Sequence, residues 1–594
     1  MAAGAAELFN GERAVVLLFV SRVLFSVPVS LLYEALALFL LVAGGLLVEI
    51  SAESSTAPHR FKTRPGASSG ILLGTATLPA AMLSRLIQLS RVLPENDVTS
   101  EEVEGLSMQY WIASASCFGV LIFFCLAFQY STKNIGSFQL RSSEALKYGL
   151  LQTVLYVAVC SLSLTTKSDS GSLILIKLLW LICHALATVV LIQHILLTFP
   201  LCASLGEALL VSSGLVLYFS DMLAHTLTKT FMFITSWTLN FVGYGTRSEI
   251  ATVIQGVMLG LFLLPAFYKI VLRGWFHLKN WRKPEVSIAN GEAHSAVESS
   301  IIFYASLSVM LTILIPIWMV LTFVFTDPLK RLALCLYWIC VICASVLRFY
   351  NISKHSKIER ILLRKYYHLV AVLMFLPALL FQPTFLDLAF GLAFAVFLVL
   401  EMIRVWKIWP LGDIVHQFMN AFTDHRDSEI LIVSHFSLLL GCALPKWMSS
   451  GLNDRPLAPF AGILSLGIGD TMASVVGHKY GVLRWSKTGS KPMLFVLLRF
   501  GYTLSNLWLT SNRLANTLVS DSSEKTIEGT AAGITSVLAA CSILLPLLAS
   551  TGYVLSQHWL SLLMAVTVSG LLEAYTAQLD NAFIPLVFYS LLCL

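Results

Sequence analysis

The chain has 594 residues, 57% of them hydrophobic and only 12% charged, with a mean hydropathy of +0.80 and a formal net charge of +6. Soluble domains carry roughly twice that share of charge, so one water-soluble globule is excluded. The positive balance needs no nucleic acid as partner, because Lys and Arg flank membrane spans and set topology.

Apolar runs long enough to cross about 30 Å of hydrocarbon recur along the chain. In order they fall at 14–48 (a long pair), 70–90, 109–130, 148–165, 173–199, 207–224, 230–243, 251–272, 300–326, 331–350, 366–400 (two spans), 429–448, 457–477, 531–550, 556–575 and 582–594. The fold class expected is all-α: a polytopic integral membrane protein with roughly fifteen transmembrane helices by the window rule. No alternating strands of the barrel kind are present in the text. No cleaved secretory signal is evident, so the first span is expected to stay as an anchor. The connection 273–299 holds Arg273, Lys279, Arg282 and Lys283 and is expected in the cytosol. A break near residue 330 separates a first region, 1–330, poor in intramembrane charge and expected on the lipid side, from a second, 331–594, that concentrates it. Cys340 and Cys343 form a C-x-x-C inside an apolar run, which reads as buried small residues and not as a redox or metal pair. The oligomeric state is not legible.

In the second region polar groups gather at span edges. Arg364, Lys365 and His368 open one span; Glu401 and Arg404 close the next at i,i+3. Asp424, Arg426 and Asp427 precede another, and Glu573, Asp580 and Asn581 stand near the end. Ionisable groups at membrane depth are costly and default to functional hypotheses, with an internal ion pair as the plain alternative.

The most telling text runs from Gly467 to Lys491 and from Lys525 to Thr530. Gly467 and Gly469 allow close backbone approach before Asp470. Ala473, Ser474, Gly477 and Gly481 continue a small-residue face, which is equally the pattern of tight helix packing in membranes. Lys479, Arg484, Lys487 and Lys491 follow, then Lys525-Thr526 and Glu528-Gly529. Lysines act as point charges on phosphates, and glycine-flanked amides cradle them. Asp470 and Glu528 suit Mg²⁺, which prefers carboxylates plus phosphate oxygens. No Walker A sequence and no protein-kinase signature set is present.

The run Gly469-Asp470-Thr, Gly477, Gly481, Arg484-Trp485, Lys-Lys-Thr-x-Glu-Gly-Thr resembles the CTP-dependent polyprenol and lipid kinases, the dolichol kinases above all. Further fragments agree: Arg364-Lys365-Tyr-Tyr-His368, Phe422-x-Asp424-x-Arg426-Asp427, Leu438-Leu-Leu-Gly441, Leu571-Leu-Glu573 through Asp580-Asn581 to Pro585, and, in the first half, Ser204-Leu-Gly-Glu207-Ala-Leu-Leu. The resemblance implies transfer of the CTP γ-phosphoryl to dolichol in the endoplasmic reticulum membrane, with the nucleotide site facing the cytosol. It implies CTP and a long-chain polyprenol as partners, beside the bilayer, and a divalent cation, Mg²⁺. The nucleotide segment it implies comprises His478, Lys479, Gly481, Arg484, Trp485, Lys487, Gly489, Ser490 and Lys491, joined to Lys525, Thr526 and Gly529. Asp470, Glu528 and Lys525 are then the expected catalytic set, Asp470 and Glu528 the metal ligands, and the Arg364, Asp424 and Glu573 groups a second polar wall. The long first region is expected to supply a groove for the isoprenoid.

One departure stands out. Residues 492–524 separate Lys491 from Lys525, an insertion of 524 − 491 = 33 residues; deleting it restores Lys-Lys-Thr-Ile-Glu-Gly-Thr. A retained in-frame intron and a real loop both stay open. Closure of such a loop costs on the order of a few kcal/mol, so the two lysines are still able to meet. Three other readings were weighed. An intramembrane aspartyl protease lacks its Tyr-Asp partner motif here. A cytidylyltransferase forming a CDP-lipid shares the substrates, and a transporter would show inverted repeats.

Overall fold

The computed structural model describes residues 10–54, 61–92, 100–133, 139–167, 171–234, 249–282, 291–314, 327–355, 360–420, 431–449, 454–483, 485, 525–550 and 559–594. All regular elements among them are helical. In chain order they are α1 (Gly11–Phe25), α2 (Leu32–Ser54), α3 (Ile71–Val92), α4 (Ser100–Lys133), α5 (Gln139–Lys167), α6 (Gly171–Thr198), α7 (Leu205–Ile234), α8 (Glu249–Arg282), α9 (Gly291–Leu314), α10 (Pro328–His355), α11 (Arg360–Phe381), α12 (Pro383–Val405), α13 (Gly412–Asn420), α14 (Val433–Met448), a π-helix (Ile463–Asp470) running into α15 (Thr471–Tyr480), α16 (Ile527–Ser550), α17 (Trp559–Tyr575) and α18 (Asp580–Leu592).

The polytopic helical reading holds; the described residues support fewer spans than the roughly fifteen expected. Among the described residues, ten helices are long and apolar enough to cross a membrane by length and composition. Five further apolar segments of 10–17 residues stand beside them, including Lys365–Phe381, Phe436–Met448 and Asp580–Leu592. The expected pair at 366–400 is α11 and α12, broken at Gln382-Pro383. The expected span at 457–477 is instead a 3₁₀ turn, the π-helix and α15. The expected span 230–243 lies largely outside the described residues.

Helix α3 is the axis of the bundle, with 94% of its apolar window buried inside the protein. It packs against α2, α4 and α7 from the first half and against α18 from the second. Ser84 Oγ on α3 meets Ser590 Oγ on α18 at 2.7 Å. One continuous apolar core therefore contains residues from Val15 to Leu594. This interlock brings loops of the first half against the polar end of the second.

Candidate active site

The site sits where several helix ends meet on one face of the bundle. The π-helix delivers Asp470. Such turns take one extra residue per hydrogen bond, recur at functional sites and turn the residues that follow them. Asp470 is 2% exposed. Lys365 Nζ donates to both its carboxylate oxygens, at 2.6 and 2.5 Å, and His368 Nδ1 lies 2.9 Å from Oδ2. Lys365 and His368 share one face of α11, one turn apart. His368 Nδ1 is also 3.2 Å from the Leu466 carbonyl. The polar wall foreseen around Lys365 and His368 is thus the immediate partner set of Asp470.

The small-residue face resolves into packing. Gly477 on α15 and Gly529 on α16 approach so closely that a Cβ on Gly529 would stand 2.5 Å from the Ala473 carbonyl oxygen and 3.0 Å from Gly477 Cα. A side chain at either place would push the helices apart, which is the physical use of glycine here. Thr526 caps α16: its Oγ1 accepts the Gly529 N–H at 3.2 Å. That amide is therefore satisfied by the cap in this structure.

Glu528, expected as a metal ligand, is engaged by the backbone in this structure. Its carboxylate accepts the Leu483 N–H at 3.0 and 3.2 Å, tying α16 to the segment after α15. Trp485 N donates to the Lys525 carbonyl at 3.1 Å and Ile527 N to the Leu483 carbonyl at 2.8 Å. The two flanks of the insertion are thus zipped side by side, and the motif halves 483–485 and 525–530 are neighbours despite the 33 intervening residues. Trp485 fixes this pairing further, with Nε1 donating to Thr530 Oγ1 at 3.0 Å and its ring 5.0 Å from that of Tyr575.

Lys525 turns toward α17, where its Nζ donates to the Glu573 carbonyl. The Glu573 carboxylate lies in the combined field of Asp470, Lys525, Lys365 and Asp580. Glu573 and Asp580 thus share a field with Asp470, while the Glu528 carboxylate is turned to the Leu483 amide. Asp580 opens α18 and accepts the Asn581 N–H at 3.1 Å, while Asn581 Nδ2 reaches Ser437 Oγ at 3.4 Å. A small cleft adjoins this cluster, its lining mixing Ser465, Ser569 and Glu573 with Gly469, Gly533, Gly570 and apolar side chains including Val566 and Phe588.

Other expected residues stand apart. His478 and Lys479 are exposed at the end of α15, Lys479 lying over the Tyr480 ring at 5.2 Å. Glu401 and Arg404 form a buried internal ion pair at 2.6 Å, with Glu401 also accepting the Ile432 N–H at 3.0 Å. Arg484, Lys487, Gly489, Ser490, Lys491, Asp424, Arg426, Asp427 and the Arg364 side chain lie outside the described residues. Among the described residues no group of three or more His, Cys, Asp or Glu forms a ready metal cage.

Comparison with known proteins places this geometry. The family model described as dolichol kinase matches residues 175–446, which include Lys365 and His368. The dolichol kinase EVAN of Arabidopsis thaliana is 53% identical over a 605-residue alignment covering 99% of each chain. This chain belongs to the dolichol kinase family. The Homo sapiens dolichol kinase is 29% identical over 66% of this chain and 65% of its own length. The dolichol kinase sec59 of Schizosaccharomyces pombe is 43% identical over 21% of this chain and 25% of its own. No solved structure matches. Membership of this family does not favour the cytidylyltransferase and transporter readings.

Proposed function

We propose that the protein is a CTP-dependent dolichol kinase of the endoplasmic reticulum membrane, moving the γ-phosphoryl group of CTP to the terminal hydroxyl of dolichol. The observation that carries this reading is the cluster Lys365, His368, Asp470, Lys525 and Glu573 at one end of an apolar bundle, beside a small cleft that Glu573 helps to line. Phosphoryl transfer asks mainly for positioning and neutralisation of charge. Lys365 and Lys525 supply the positive charge for the phosphate oxygens. The cleft takes the alcohol end of the lipid, leaving the chain to run into the bilayer. Glu573, in the cleft lining, accepts the hydroxyl proton as the new O–P bond forms and the bond from the γ-phosphorus to the β-phosphate oxygen breaks, releasing CDP. His368 and Lys365 hold Asp470 in place on the opposite side of the phosphate.

The donor set suits Mg²⁺ held by one or two carboxylates together with phosphate oxygens, not a cage made by protein alone. Asp470 and Glu573 would hold it, and it would supply further neutralisation of the triphosphate. The nucleotide site is assigned to the cytosolic side, the side favoured by basic connections such as 273–299 with Arg273, Lys279, Arg282 and Lys283.

The test is purified protein with dolichol, Mg²⁺ and CTP labelled in either the γ- or the α-phosphate. Transfer of the γ label alone to the lipid fraction is expected. Transfer of the α label, as a CDP-lipid would give, or no transfer of either, refutes the reading.

A further inference from the structure

The turn between α17 and α18, residues 576–579, joins Glu573 to Asp580 and so sets where both carboxylates stand. Nearly everything that holds this turn comes from the first half of the chain. Ser204 and Glu207 open α7 as a capping box: Glu207 N donates to Ser204 Oγ at 3.1 Å, and Ser204 N donates to Glu207 Oε2 at 2.8 Å. An ordinary capping glutamate stops there. Glu207 is 3% exposed and makes two further contacts: Arg64 Nη2 donates to its Oε1 at 2.6 Å, and the Leu579 N–H donates to the same oxygen at 2.7 Å. Arg64, 4% exposed, also donates through Nη2 to the Ala577 carbonyl at 3.1 Å. The pair therefore grips the turn by one backbone acceptor and one backbone donor. Gln578 is held on the same side, donating to the Ser68 carbonyl at 2.9 Å and accepting from Ser204 Oγ.

A buried ion pair is weak evidence for stability, because desolvation offsets most of its attraction. Its siting needs another reason, and the turn it grips supplies one. We propose that the buried Arg64–Glu207 pair is a positioning element for phosphoryl transfer: it locks the 576–579 turn and thereby the Glu573 and Asp580 carboxylates at the γ-phosphate. The first half of the chain is then part of the catalytic machinery and not only a lipid-facing platform. Displacement of a reacting group by about 1 Å costs on the order of 100-fold in rate, which sets the scale of the effect. The proposal rests on the assignment of the Asp470–Glu573 cluster as the transfer site.

Two variants separate positioning from mere support. Glu207→Gln keeps the shape but loses the charge that binds Arg64. Leu579→Pro removes the N–H that Glu207 accepts together with the leucine side chain, and Leu579 already has φ −65°, the value proline requires. Both are assayed as purified full-length protein, with rates normalised to the monodisperse, folded fraction and with thermal melting recorded alongside. The expected result is a fall in kcat of roughly 10- to 100-fold for each, with KM for CTP within about threefold of the parent and melting retained for Leu579→Pro. Glu207→Asp, which keeps the charge, is expected to recover part of the lost kcat. Unchanged kcat in both variants, or a loss confined to melting temperature and yield, overturns the proposal. Failure of the parent protein to transfer the γ label would instead overturn the assignment of the site beneath it.

Discussion

Replacing Asp470 by Asn removes the charge that compensates Lys365 in a place where water is scarce: the lysine is 6% and the aspartate 2% exposed. Breaking a buried pair from one side costs about 3–5 kcal/mol, because the remaining charge has no partner. Lys365→Met should cost a similar amount, relieved only in part by His368 at 2.9 Å from the carboxylate. The double variant Lys365→Met with Asp470→Asn leaves neither charge stranded, so its loss of stability should fall well below the sum of the singles. Activity should behave differently. Each single and the double should lose at least about 10²-fold in kcat, as removal of a preorganised electrostatic contact does. Melting of the four proteins in one detergent, together with γ-label transfer to dolichol, completes the cycle. The reasoning fails if the double variant is as unstable as the two losses added together. It also fails if Asp470→Asn keeps the parent kcat.

Gly529→Ala places a methyl 2.5 Å from the Ala473 carbonyl oxygen and should destabilise the α15–α16 contact by about 1–3 kcal/mol. Gly214→Ala, with open space around it, should leave melting unchanged or slightly raised. Gly570→Ala sets a Cβ 2.5 Å from Ile534 Cγ1 at the cleft, so melting should fall and KM for dolichol should rise several-fold while KM for CTP stays put; equal rises in both would move the lipid end elsewhere. Deleting residues 492–524 leaves 486–491 to bridge Trp485 and Lys525, which are already paired through backbone. The shortened protein should fold and keep activity within a few-fold, and its failure to express as a monodisperse species would show that the insertion contributes to the fold.

Much of this protein was legible in one dimension. Hydropathy alone establishes a membrane bundle, because a chain with this little charge has no other solvent able to accept its surface. The residues Asp470, Lys525, Glu573, Lys365 and His368 all announce themselves as ionisable groups at the edges of apolar runs. The number of spans was less accessible, since helices such as Asp580–Leu592 are apolar yet too short for the window, and are buried by neighbours that a linear scan cannot see.

Partnership was decided only in three dimensions. Glu528 and Asp470 look like a ligand pair in the text, but hydrogen-bond demand sends Glu528 to the Leu483 amide and leaves Asp470 to Lys365, a residue 105 positions away. Gly477 and Gly529 stand at a close contact between helices, a placement that spacing could suggest but only packing shows. The Ser-x-x-Glu at 204–207 reads as a helix start. Its grip on Leu579 depends on α3 drawing both halves into one core. Sequence names the groups that must not be left unpaired in a low dielectric; the packing of the helices determines which of them meet, and so which carboxylates face the reacting phosphate.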